Sequence, residues 1–132
     1  MSESLWGKLP TGENLRTPIF VLREQAEILT KATEGVLVGR VQSQQRTEVS
    51  LLHQLQIVAP ALNQYVYTVL AVSHSVMVYP ASVTDLGKNL TRTARDEDEL
   101  KLLMKDILTL EPVRKAIAGL MAQSRDAAMR KS

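Results

Sequence analysis

The sequence predicts an α+β domain in which one N-terminal helix precedes an antiparallel meander of four to five strands and two C-terminal helices follow it. Three observations support this prediction. Apolar residues recur at spacings of three and four near both ends of the chain, as in amphipathic helices. Segments between residues 36 and 94 alternate or run apolar, as strands do. The links between those segments are short, which favours neighbouring antiparallel strands.

The composition indicates a single globular domain and excludes several classes of protein. A length of 132 residues fits one domain, and a net charge of +2 lacks the strong basic excess of a dedicated nucleic-acid binder. The absence of cysteine excludes disulfides, thiol catalysis and cysteine-based metal sites. We see no signal peptide and no long apolar run, so we expect a cytoplasmic protein without membrane association.

The N-terminal helix has clear start and stop signals. Thr17 can cap it, Pro18 suits its first position and Gly35 suits a left-handed end. Its apolar stripe is predicted to consist of Leu15, Ile19, Leu22, Ala26 and Leu29. Residues 1–14 are predicted to be irregular and to pack on the domain, which covers residues 15–124, because this segment contains Leu5, Trp6 and Leu9.

The strand region contains three features with structural meaning. Gly39 marks a bulge or a close approach, and Pro80 favours an edge strand or a bulge. The third strand is apolar on both faces, which is typical of a central strand covered on both sides. The strands are predicted at Val36–Gln42, Thr47–Ala59, Tyr65–Ser73, Val76–Leu86 and, as a short fifth member, Leu90–Ala94.

The C-terminal helices are predicted from capping patterns. Asp96 followed by Glu99 is close to a capping box, and Pro112 fits the first turn of the last helix. That helix has a side of small residues, which we expect to pack on the preceding helix or on a second subunit: Ala118, Gly119 and Ala122. Residues 125–132 are predicted to be a flexible basic tail.

No residue pattern points to catalysis, a metal or a cofactor, so none is expected. His53 and His74 lack ligand spacing and could meet only in a suitable register, with Asp85 as the nearest candidate acid. We interpret both histidines as structural. The acidic run 96–99 lacks the calcium-loop pattern, and the chain has no phosphate loop and no nucleophile elbow. A hydrolase or metal enzyme using the two histidines is the weakest hypothesis.

The remaining features favour a non-enzymatic protein-interaction module, with either another protein or a second copy of the chain as partner. Apolar residues that one layer does not bury, and the only basic stretch of the chain, supply the candidate contacts. Residues 112–132 carry five basic residues against one acidic residue. An alternative is a nucleic-acid-binding accessory protein that uses this basic region and a polar sheet face. The candidate interaction residues are Phe20, Trp6, Tyr65, Tyr67, Arg114, Lys115 and Arg125.

Overall fold

A computed structural model describes residues 3–130 and confirms the predicted α+β architecture, with the fifth strand present. The five strands form one antiparallel sheet in the order of the chain. A short 3₁₀ turn, Pro60–Leu62, separates the second and third strands. The elements are α1 (Pro18–Ala32), β1 (Val38–Gln45), β2 (Ser50–Ala59), β3 (Tyr65–Ser75), β4 (Ala81–Asp85), β5 (Leu90–Ala94), α2 (Glu97–Leu108) and α3 (Glu111–Arg130).

Helix α1 begins and ends as its sequence predicts. The Thr17 hydroxyl accepts a hydrogen bond from the Phe20 amide at 3.4 Å, and Pro18 occupies the first turn. Glu34 and Gly35 then adopt left-handed conformations, with φ of 53° and 80°. The buried stripe is rotated from the predicted one, because Leu15 is half exposed and Val21 is buried instead.

Helix α2 is capped as predicted, although the reciprocal contact reaches one residue further back. Asp96 Oδ1 accepts a hydrogen bond from the Glu99 amide at 2.9 Å. The Glu99 carboxylate accepts from the Arg95 amide at 2.7 Å and also pairs with the Arg95 guanidinium. The acidic run is therefore used by the helix terminus, where negative charge is favoured.

Replacing Asp96 by alanine should lower the free energy of unfolding by about 1 kcal/mol, because the Glu99 amide loses its partner. Asp98→Ala is the matched control. It removes a charge from the same turn, but Asp98 makes no capping bond among the described residues. Urea unfolding followed by circular dichroism measures both variants. Equal losses would show that charge near the helix terminus, rather than the cap, carries the effect.

All three helices pack on one face of the sheet, here called the helix face. Paired residues share a face, so the pairs Leu55↔Leu70 and Val72↔Val83 identify the strand residues that join the core. Helix residues that complete this core include Leu22, Leu100, Met104 and Ile107. The opposite face, here called the open face, has no helix over it within residues 3–130. Its central residues Val58 and Ala71 are buried but lie outside this core cluster.

Strand β3 is central, as predicted, but it is covered on one face only. A bulge shifts the register, since Leu55 pairs with Leu70 and Gln56 pairs with Thr68. The extra residue, Val69, moves Leu70 and Val72 to the face that already carries Tyr67. Strict alternation had placed these residues on opposite faces. The bulge explains how one strand supplies apolar residues to the core without a second covering layer.

Strand β4 begins later than predicted, and the position assigned to Pro80 was wrong. Residues 76–80 form a turn in which Val78 has φ of 73°, and β4 lies inside the sheet between β3 and β5. The Tyr79 hydroxyl anchors this turn by donating to the Arg16 carbonyl at 2.8 Å. Burial, together with Glu97 and Asp96, raises the pKa of Tyr79 to about 12, so the hydroxyl remains a donor at neutral pH.

The chain ends differ from their predicted descriptions. Helix α3 continues to Arg130, so residues 125–130 are helical, while residues 131–132 of the predicted tail lie outside the described residues. Residues 1–2 of the predicted N-terminal segment lie outside the described residues, and Leu5, Trp6 and Leu9 are mostly exposed. The division of the chain at residue 14 stays a prediction.

Candidate interaction groove

A groove between α3 and the start of β3 brings together three of the residues singled out from the sequence. Tyr65 and Tyr67 form one wall and Lys115 stands on the other. The groove has a volume of about 580 Å³, within the roughly 300–1,000 Å³ typical of ligand sites. The full lining is Leu62, Tyr65, Tyr67, Pro112, Lys115, Ala116, Gly119, Leu120 and Gln123.

Local backbone geometry places the two tyrosines. Asn63 and Gln64 both adopt left-handed conformations, with φ of 58° and 59°, and turn the chain back into β3. Tyr65 and Tyr67 then pair with Ala59 and Ile57 of β2, so both side chains stand on the helix face. Helix α3 packs chiefly against the Pro60–Leu62 turn, and a gap is left along the tyrosines.

The small side of α3 does not pack on α2, so that alternative was wrong, while a contact with a second subunit stays a prediction. Ala118 and Ala122 are exposed. A Cβ atom on Gly119 would meet only the Gln123 side chain, at 3.9 Å. A glycine inside a helix is unfavourable by roughly 1 kcal/mol relative to alanine, and no packing within the domain requires it here. Gly119 keeps the floor of the groove open.

Gly119→Ala should raise the free energy of unfolding by about 0.5–1 kcal/mol, because it improves helix propensity without a clash. The midpoint of urea unfolding should rise while its slope is unchanged. An unchanged or lower midpoint would mean that the fold itself requires Gly119. The glycine would then be no evidence for a groove that is kept open for a ligand.

Helix α3 carries basic residues in and next to the groove. The exposed Arg114, Lys115 and Arg125 form no ion pair among the described residues. By contrast, Lys31 of α1 and Lys101 of α2 each pair with a glutamate one turn away. Arg114 and Lys115 also border a neighbouring surface groove with Glu111, Pro112 and Ala118. Helix α3 therefore presents uncompensated positive charge beside the tyrosines.

Phe20, Trp6 and Arg125 do not line the groove. Phe20 is 47% exposed, and the Arg16 guanidinium carbon lies 5.2 Å from the centre of its ring. Trp6 is 79% exposed. In the sequence, the two tyrosines lie some fifty residues before the basic residues of α3. Only the tertiary arrangement joins them.

A polar cluster that is separate from the groove lies on the helix face at the opposite end of β3. His53 Nε2 and His74 Nε2 are 2.9 Å apart, and both side chains are buried. The register sets them diagonally, since His74 pairs with Leu51 and His53 pairs with Val72. Asp85 is not their partner. It lies at the far end of β4, where it accepts hydrogen bonds from the Gly87 and Lys88 amides.

The hydrogen-bond partners determine which nitrogen of each ring carries a proton. The Ser75 carbonyl can only accept, so His74 Nδ1, at 2.8 Å, carries its proton. When both rings are neutral, His74 Nε2 therefore accepts from His53 Nε2, and His53 Nδ1 accepts from the Ser43 hydroxyl at 2.6 Å. Burial, with help from His74 and Arg23, lowers the pKa of His53. This cluster is satisfied as a structural network.

The open face is polar and separate from the basic helix. Gln56 joins three strands there, because it accepts from Arg40 at 2.9 Å and donates to Gln42 and Thr68. Arg40 is the one charged residue that the described strand pairings place on this face. Since α3 packs against the other face, the polar sheet surface and the basic region are not continuous.

Comparison with protein-family models, with curated proteins and with solved structures finds no match to this chain. Within residues 3–130, no helix combines the length and apolar character needed to cross a membrane.

Proposed function

We propose that this chain is a non-enzymatic protein-interaction module that binds a segment of a partner protein in the groove between α3 and β3. The observation that carries the proposal is the convergence of Tyr65, Tyr67 and Lys115 on one open groove with a glycine in its floor. Tyrosine is enriched in interface cores because it offers a large apolar body with one polar end.

The lining indicates the chemistry of the bound segment. Leu62, Pro112 and Leu120 offer apolar contact, which suits an aliphatic or aromatic side chain. The Tyr65 hydroxyl and the Lys115 ammonium are hydrogen-bond donors, and no acidic residue lines this groove. The unpaired cations of α3 add to the positive charge near the groove. A segment that combines apolar and acidic residues is therefore the favoured partner.

Nucleic-acid binding is the less favoured alternative. It would need positive charge spread along a surface that follows phosphates. Here the cations lie along one side of α3, while the polar open face carries Arg40 as its charge.

Selection of short displayed peptides against the purified protein tests the proposal. We expect the selected peptides to combine acidic and apolar residues. Gly119→Leu, which fills the groove floor, should weaken their binding at least tenfold. Ala122→Leu is the matched control, since Ala122 is exposed on the same helix but outside the groove, and it should leave affinity unchanged.

Two variants that reverse a charge add a second test. Lys115→Glu should weaken binding of the acidic peptides, while Arg125→Glu, outside the groove, should change it much less. Peptides whose binding ignores Gly119→Leu would overturn the proposal. So would an absence of selectable peptides together with tight, salt-dependent binding to nucleic acid.

A further inference from the structure

One end of the β2–β3 pair is apolar and exposed. The pairing ends at Ser50 and Ser75; Val49 precedes β2, Val76 and Met77 follow β3, and Leu51 lies one step further into the sheet. Val49 is 71% exposed, Val76 84% and Met77 75%, while Leu51 is 37% exposed. These four residues, here called the apolar end, all lie within two positions of the last β2–β3 pair.

The turn that carries part of the apolar end is held in place. Val78 has φ of 73°, a conformation that β-branched residues rarely adopt. The hydrogen bond from the Tyr79 hydroxyl to the Arg16 carbonyl ties this turn to the residues just before α1. Strained residues in well-anchored turns are frequent at recognition sites. The exposed Val76 and Met77 are thus presented by a fixed turn.

Residues 3–14, here called the N-terminal arm, form another exposed apolar segment besides the apolar end. Leu5 is 95% exposed, Trp6 79% and Leu9 61%. The arm joins α1 next to Arg16, the residue whose carbonyl contacts the turn of the apolar end. The arm therefore leaves the domain beside the apolar end without covering it.

We infer that two copies of this chain associate by exchanging arms, so that the N-terminal arm of each copy covers the apolar end of the other. The two parts are complementary in character and do not bury each other within one chain. A pair related by a two-fold axis satisfies both parts of both copies at once, as closed symmetric dimers do. This inference does not depend on the groove beside α3.

The exposed apolar area overlaps the range that a stable dimer buries. Each copy contributes seven large side chains from the arm and the apolar end. At about 60–120 Å² each, a pair would remove on the order of 800–1,700 Å² from water. Specific interfaces of standard size bury about 1,200–2,000 Å². No third partner is needed to explain both exposed parts.

The single tryptophan makes the exchange measurable, because Trp6 lies in the arm. Light scattering after size exclusion should give a dimer mass at micromolar concentrations. On dilution, the mass should fall to that of a monomer while Trp6 emission shifts to the red. Val76→Ser and Met77→Ser should each weaken dimerisation at least tenfold. Leu102→Ser, which alters a 64% exposed apolar residue on α2, is the control and should have no effect.

Three results would overturn the inference. The first is a monomer mass with exposed Trp6 at every concentration. The second is a monomer in which Trp6 emission is already blue-shifted, since the arm would then fold on its own domain. The third is a dimer that Val76→Ser and Met77→Ser leave intact. Gly119→Leu should not change the mass, so failure here is distinct from failure of the proposed groove.

Discussion

Gly39→Ala should destabilise the domain by about 3 kcal/mol or more, which is enough to prevent folding of a marginally stable protein. A Cβ on Gly39 would lie 2.5 Å from the Cα and 2.6 Å from the carbonyl carbon of Ala26. Both are backbone atoms of α1, so no side chain can rotate away. The Gly39 amide also donates to Thr30 Oγ1 at 2.9 Å, and this bond fixes the helix against the strand.

Two controls separate this clash from a general cost of replacing glycine. Gly119→Ala adds the same methyl group where there is space, and it should stabilise the protein. Ala26→Gly combined with Gly39→Ala should not restore stability, because the clash involves the backbone of Ala26. Thermal or urea unfolding measures all three. Rescue by Ala26→Gly, or a loss below about 1 kcal/mol, would contradict the observed closeness of α1 to β1.

Replacing either histidine of the buried pair by leucine should lower the free energy of unfolding by roughly 2–3 kcal/mol, because the remaining ring is left buried with an unsatisfied nitrogen. The double variant His53→Leu/His74→Leu should lose less than the sum of the two single losses, by roughly 1–2 kcal/mol. Unfolding at pH 7.5 gives this coupling energy. Additive losses would mean that the two rings do not share a hydrogen bond.

The buried His53 should make the protein sensitive to acid. The pKa of His53 is lowered in the folded state, so the unfolded chain binds more protons near the ordinary histidine pKa of 6.5. The full stability is therefore present above pH 6.5 and decreases as the pH falls from there toward the lowered pKa. The slope for one proton is at most about 1.4 kcal/mol per pH unit.

The double variant provides the control for this pH dependence. It lacks His53, so its stability should change much less than that of the native protein between pH 7.5 and pH 5.5. Urea unfolding at both pH values measures the difference. Equal acid sensitivity in the two proteins would assign the effect to other groups.

Local signals predicted the helix boundaries well because capping depends on neighbouring residues. Thr17 and Asp96 were identified from sequence and both accept the expected amide hydrogen bonds. The close approach at Gly39 was also predicted, although its partner was not. Strand details were predicted less well. The bulge at Val69 and the turn at residues 76–80 depend on pairing between strands, which alternation within one strand does not report.

The sequence identified residues of the candidate site but did not predict that they lie close together. Tyr65, Tyr67 and Lys115 were chosen for unrelated reasons, the first two for apolar excess and the last for charge. Their convergence follows from how α3 packs beside the Pro60–Leu62 turn, and this packing has no local signal. The contact between His53 and His74 likewise required the register of β2 and β3.

Site-specific photo-crosslinking in cells of the native organism tests the central claim most directly. A benzophenone amino acid is placed either at Gln123, in the groove wall, or at Thr91, which is exposed on the open face. We predict a protein adduct of one defined mass from position 123, absent when Gly119→Leu is also present, and no such adduct from position 91. Adducts that are equal from both positions, or that are destroyed by nuclease, would contradict a protein-binding groove between α3 and β3.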